Sequence, residues 1–299
     1  MKKLDIKKLD IIKDKHFNYC YEEIKAYYPE LDSDVCYKLC CEIPFDFNNN
    51  NPEKEEYKYI DKEFYKFIDN PIQFNLIYKD FRTPPKNSKE EWNGIELIKA
   101  IKVNVCPYCG INYFSCVSKN EEDKEISDAT LDHYLPQTKY KSFAMNLYNL
   151  IPSCKNCNET FKRNEIHIFN PYFHSLEDSL TFYLNKEDIF DLILNDFDKD
   201  IEINLKYDNN NELLKRHLKI LLIKNRYNYF QDIIKSLIIK KQSYPENYIN
   251  ELKKLNIGIT KTSIEDCLIK QDLLNDNEPF LKFKKDIWRQ LKSIDDKNK

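Results

Sequence analysis

Residues 131–164 read LDHYLPQTKYKSFAMNLYNLIPSCKNCNETFKRN (Leu131–Asn164). Cys154 and Cys157 stand two residues apart in this stretch, and an upstream pair with the same gap, Cys106-Pro-Tyr-Cys109, is separated from it by 44 residues. A two-residue gap lets two thiolates approach one ion from a tight turn, and two such turns complete a tetrahedral four-sulfur site. Gly110 directly follows the first pair and suits a left-handed turn position. With cysteine at all four positions no ligand place is left for water or substrate, so the spacing predicts structural Zn2+ rather than a catalytic zinc. The metal then ties off a long insertion, and that insertion contains Asp132 and His133.

Composition limits the alternatives. The chain has 299 residues, 32% of them charged, a length that can bury a sizeable core and suggests about two domains. Mean hydropathy is -0.70 and no run approaches 18 apolar residues, so no membrane span is expected. Acids interrupt the N-terminal MKKLDIKKLDIIKDKHF and no apolar signal core follows, which predicts a cytoplasmic protein. Three glycines are too few for glycine-rich phosphate loops and favour helices. A net charge of -3 excludes a uniformly basic nucleic-acid binder but not a local positive face. In a reducing compartment the ten cysteines are expected as thiols or metal ligands rather than disulfides.

The predicted fold class is α+β and mostly helical, with an N-terminal helical region over 1–99, the cysteine-bracketed module over 100–175 and a mainly helical region over 176–299. LDIIKDKHFNYCYEEIKAYY and VCYKLCCEI carry helical apolar spacing, and Asn48 to Glu56 reads as a loop. Ser88, with Glu91 three residues on, predicts a capping box for the helix that leads to Cys106. TFYLN and DIEINLKYD alternate as short strands. ELLKRHLKILLIKNRYNYFQDIIKSLIIKKQ reads as one amphipathic helix, and a last helix is expected to end near Trp288. Cys36, Cys40 and Cys41 fit core packing better than a second metal site, and His16, His167, His174 and His217 read as structural.

The ordered elements Cys106-x2-Cys109, Asp132-His133-x2-Pro136, Asn149-Leu150, Cys154-x2-Cys157-Asn158 and the downstream Lys162 resemble the zinc-bound form of the HNH endonuclease family. Asn158 stands where the family's name places a second histidine. The resemblance implies a ββα-metal nuclease module, with a first strand over Ala129 to Tyr134, a second near Asn149 to Ile151 and a helix from about Asn158 to Arg163. It implies His133 as the general base, Asp132 and Asn158 as ligands of a catalytic Mg2+ or Mn2+, and Asn149 as the group that orients the His133 ring. Lys162, Arg163 and, more weakly, Lys139 become candidate phosphate contacts.

The expected substrate is DNA, with RNA using the same residues. From Asn211 to Leu255 ten Lys/Arg face four acids, a net of +6, which could guide a nucleic-acid backbone or simply be a solvated helix face. The layout also resembles HNH proteins that accompany ATPases in bacterial anti-phage defence, including the Septu type, which implies an ATPase partner and an antiviral role. The competing expectation is a zinc-stapled nucleic-acid or protein-binding adaptor with a vestigial site.

Overall fold

The computed structural model describes residues 3–44, 72–83, 92–118, 125–166, 168–194, 199–255, 267–270 and 277–295. The expected loop at Asn48 to Glu56, the capping pair Ser88 and Glu91, and His167 lie outside them. The fold is α+β with helices predominating around three two-stranded antiparallel sheets. No helix among the described residues is long and apolar enough to cross a membrane.

The N-terminal region contributes α1 (Lys7–Tyr27), α2 (Ser33–Cys41), α3 (Ile72–Arg82) and α4 (Gly94–Ile101). Helix α1 buries Leu9, His16, Cys20 and Ile24, and α2 turns Cys36, Leu39 and Cys40 towards the same interior, at the three- and four-residue spacing that puts side chains on one face. Asp32 starts α2 by accepting from the amides of Asp34 and Val35. Asn93 caps α4 in the same way, accepting from Ile95 and Glu96.

Strands β1 (Cys116–Ser118) and β2 (Glu125–Ser127) form a short hairpin before the central ribbon of β3 (Ala129–His133) and β4 (Leu150–Cys154). The ribbon pairs Ala129 with Cys154 at one end and His133 with Leu150 at the other. Its ladder continues through the Tyr134 amide to the Asn149 carbonyl, so the alternation of an antiparallel pair puts Pro152 opposite Leu131 where no cross-strand bond is required. Outward-facing carbonyls of this isolated ribbon are taken by side chains instead: Tyr78 Oη donates to Leu131 O, Tyr172 Oη to Leu150 O and Lys162 Nζ to His133 O. A π-helix, Asn156–Lys162, follows β4 immediately and closes with an Arg163 N to Asn158 O bond of 2.8 Å.

Strands β5 (Leu180–Tyr183) and β6 (Asn204–Tyr207) pair, with α5 (Lys186–Ile193) between them. The long amphipathic segment is three helices rather than one: α6 (Glu212–Ile220), α7 (Ile223–Tyr227) and α8 (Gln231–Ser243). Leu222 is left-handed at φ 48, which ends α6. Beyond the second break the Asn228 and Gln231 side chains accept from Ile203 and Ile201, so tertiary hydrogen bonds override the continuous periodicity. Helices α9 (Glu246–Lys254) and α10 (Leu281–Asp295) complete the described fold, and α10 runs past Trp288 because Phe283, Ile287, Trp288 and Leu291 form one buried stripe. The core is continuous from α1 and α2 through the ribbon to α10.

Candidate metal centre and histidine site

Cys106, Cys109, Cys154 and Cys157 are buried, and their sulfurs lie within 4.8 Å of one another. Four sulfurs at about 2.3 Å from a central zinc stand roughly 3.8 Å apart, so the group fits a single tetrahedral ion. Gly110 takes φ 66 and returns its amide to Cys106 O at 2.8 Å, which folds the first pair into the turn its spacing requires. The second pair sits where β4 passes into the π-helix. Burial works against a thiolate at Cys109, yet hydrogen bonds from Cys106, Cys154 and Cys157 and the charge of Arg226 bring it well below the ordinary thiol range.

Arg226 had no part in the sequence reading. From α7 its Nη1 donates to Cys157 Sγ at 3.3 Å while the guanidinium lies over the Phe161 ring at 4.6 Å. A divalent ion with four thiolates carries an excess negative charge, which this guanidinium offsets. Other C-terminal groups cap the first cysteine turn: His217 Nε2 donates to Tyr108 O, Tyr227 Oη to Cys109 O and the Phe280 amide to Gly110 O.

The pleat divides the remaining candidates. Alternation sends Thr130 and Asp132 to the ribbon face covered by the π-helix, where Asn158 Nδ2 donates to Thr130 Oγ1 at 3.0 Å and Lys162 meets Asp132. His133 belongs to the other set and meets α3 and the turn at Lys141–Phe143. Its Nε2 lies 2.9 Å from Ala144 O, and Tyr78 stacks edge-on at 4.3 Å. A carbonyl can only accept, so Nε2 carries the hydrogen and Nδ1 keeps its lone pair. Burial pushes the His133 pKa down to about 4, against the opposing pull of Ala144 O and the Asp132 charge.

Asn149 does not touch that ring. Its amide accepts from Leu135 N at 2.6 Å and donates to Leu135 O and Phe143 O, clamping the loop whose next carbonyl, Ala144 O, holds His133. Any orienting effect of Asn149 on the ring is therefore relayed through this loop.

Asp132 is 1% exposed and Lys162 0%. Both Asp132 oxygens are engaged, Oδ2 by Tyr108 Oη at 2.6 Å and by Lys162 Nζ at 3.1 Å, and Oδ1 by the same ammonium at 3.2 Å. Lys162 is thus sealed inside the module and not presented to a phosphate. In this arrangement Asp132 and Asn158 do not form an open divalent-cation site, because a lysine holds the carboxylate and the Asn158 amide is given to Thr130. Arg163, at φ 49 and exposed, returns Nε to Glu159 O, and exposed Lys139 lies over Tyr140. These two are the candidate phosphate contacts that reach the surface. Tyr108 could have been suspected as the aromatic between the first two cysteines, whereas Ala144 and Tyr78 carry no sequence signal.

No protein-family model, no curated protein and no solved structure matches this chain.

Proposed function

We propose that the chain is a phosphodiester-cleaving endonuclease of the HNH type, acting on DNA. The observation that carries this reading is His133: a neutral imidazole with one nitrogen fixed by a backbone carbonyl and the other left as an acceptor, on a ribbon whose far end is tied into four clustered thiols. In the proposed reaction Nδ1 takes a proton from water as its oxygen bonds to phosphorus, and the bond from phosphorus to the 3′-oxygen breaks. That oxygen takes a proton from solvent, leaving a 5′-phosphate and a 3′-hydroxyl. Ala144 O stabilises the imidazolium that forms. The low pKa keeps the ring deprotonated at neutral pH but weakens it as a base, so a bound phosphate close to the ring would have to raise its basicity.

The four cysteines would hold Zn2+, whose chemistry is structural: it fixes the ends of the insertion. A catalytic Mg2+ or Mn2+ at Asp132 and Asn158 belongs to this reading only with the Asp132–Lys162 pair opened. RNA cleavage would use the same residues, and an ATPase partner and a role in anti-phage defence are what the likeness of the layout implies.

A zinc-stapled adaptor with a vestigial site is the second reading, and the closed Asp132–Lys162 pair favours it. Plasmid incubated with the protein and Mg2+ or Mn2+ separates the two. The nuclease reading expects cleavage that is lost in His133→Ala, with 5′-phosphate ends. Cleavage that persists in His133→Ala would remove the proposed base, and no cleavage by either form favours the adaptor.

A further inference from the structure

We infer that the cleft between residues 3–8, the end of α4 and the start of α10 binds a small hydroxylated organic phosphate of mononucleotide size. The inference goes beyond the nuclease reading and does not rest on it. The cleft holds about 650 Å3, within the range of small-molecule sites, and none of Asp132, His133, Asn149 or Asn158 lines it.

Among the described residues five lysines and three acids line the cleft, a net charge of +2. Two of these groups are already held, Lys282 by Asp286 at 3.0 Å and Glu278 by Lys284 at 2.8 Å. Asp5 Oδ1 accepts from the Lys7 amide. Lys8 Nζ donates to Ile101 O at 2.8 Å and so covers a carbonyl at the end of α4 that would repel an anion. The ammonium groups of Lys3, Lys102 and Lys285 make no hydrogen bond or ion pair with a described residue. Lys285 is half-buried, and an ammonium partly withdrawn from water without a partner is stabilised by an incoming anion. Three such groups around one cleft suit a phosphate, whose oxygens accept from several charged donors at once. Leu4, Ile101, Val103 and Leu281 supply an apolar wall, which a ring would cover and a bare phosphate would leave wet. The carboxylate of Glu177, half-buried and also without a partner among the described residues, repels the phosphate but accepts from hydroxyl groups. Phosphate, hydroxylated middle and apolar end together match the build of a nucleoside monophosphate.

The test uses zinc-loaded full-length protein and isothermal titration with AMP, against adenosine, inorganic phosphate and a short single-stranded oligonucleotide. AMP is expected to bind at a single site and more tightly than adenosine or phosphate. Lys285→Met should weaken AMP binding about tenfold, the loss of one charged hydrogen bond, whereas Lys206→Met, at an exposed position of β6, should leave it unchanged. Zinc content and the thermal melt of Lys285→Met should match the wild type, so that the loss reports the cleft and not the fold. If that variant melts early, Lys102→Met, at an exposed position, reads the same loss. Absence of AMP binding to the wild type overturns the inference, as does equal affinity in the wild type and both cleft variants. Phosphate bound as tightly as AMP overturns the organic ligand, and an oligonucleotide bound in place of AMP overturns it in favour of a nucleic-acid track. None of these outcomes bears on the His133→Ala cleavage assay.

Discussion

Two groups of four buried cysteines lie in this molecule, and among the described residues only one is arranged as a ligand set. Cys20, Cys36, Cys40 and Cys41 sit between α1 and α2, where helical backbones fix their directions and apolar neighbours surround them. Burial raises the Cys20 thiol, and Cys41 is pushed up to about 12 for the same reason, so these side chains persist as thiols. Cys106 and Cys109 project from a turn, Cys154 and Cys157 from the junction of β4 with the π-helix, and Arg226 donates to the Cys157 sulfur. Equal numbers of sulfur atoms thus serve opposite purposes. Backbone geometry decides which.

Substitution should separate the groups most sharply at Cys154. Cys154→Ser is expected to lose the bound zinc and cooperative unfolding of residues 106–166, since structural zinc supplies about 10–16 kcal/mol of apparent binding energy in small sites. Zinc content and a thermal melt measure it, and normal zinc in that variant would dissolve the contrast. A smaller effect is expected at His16, beside the first group. Its Nε2 faces Met145 O at 2.7 Å and its Nδ1 accepts from Trp92 at 3.2 Å, so the pocket admits only the neutral ring and burial lowers its pKa to about 4. The unfolded chain binds this proton from about pH 6.5 downward, so stability is complete above that value and declines as pH falls towards 4. The full loss is about 3 kcal/mol. Urea melts of wild type and His16→Asn at pH 7 and 4.5 should converge at the lower pH.

Arg226→Met should reduce zinc affinity about 10–100-fold without unfolding the chain, read by competition with a chelator. Cys36→Ala should cost only about 1 kcal/mol and leave zinc content unchanged. If the two substitutions exchanged their effects on zinc, the division between the groups would be drawn in the wrong place.

The ligand set was legible because covalent spacing constrains it, Cys-x2-Cys bringing two sulfurs together. Strand β3 and a helix after Cys157 were expected only from the resemblance, and nothing local marked that helix as a π-helix. Strands β5 and β6 were legible through alternation. What escaped the sequence depends on partners far along the chain. Lys162 reads as a candidate phosphate contact on an exposed helix until Asp132, 30 residues earlier, is seen to hold it. Arg226 reaches Cys157 across 69 residues, and no local pattern announces it. The break at Leu222 interrupts an uninterrupted apolar period because the residues after it are needed against the thiols and against Ile201 and Ile203. His133 and Asp132 are neighbours in sequence but not on one face, a consequence of the two-residue repeat of a strand.

The capping of the first cysteine turn by His217, Tyr227 and Phe280 has a consequence for biosynthesis. Tyr108 and Cys109 emerge from the ribosome more than a hundred residues ahead of the side chains that complete their carbonyls, at separations of 109 and 118. Translation at about 5–20 residues per second leaves that turn half-finished for about 5 to 24 seconds. Metal capture in that interval would give the nascent chain a fixed nucleus onto which the later helices dock, so zinc scarcity during synthesis should be more damaging than chelation of the finished protein.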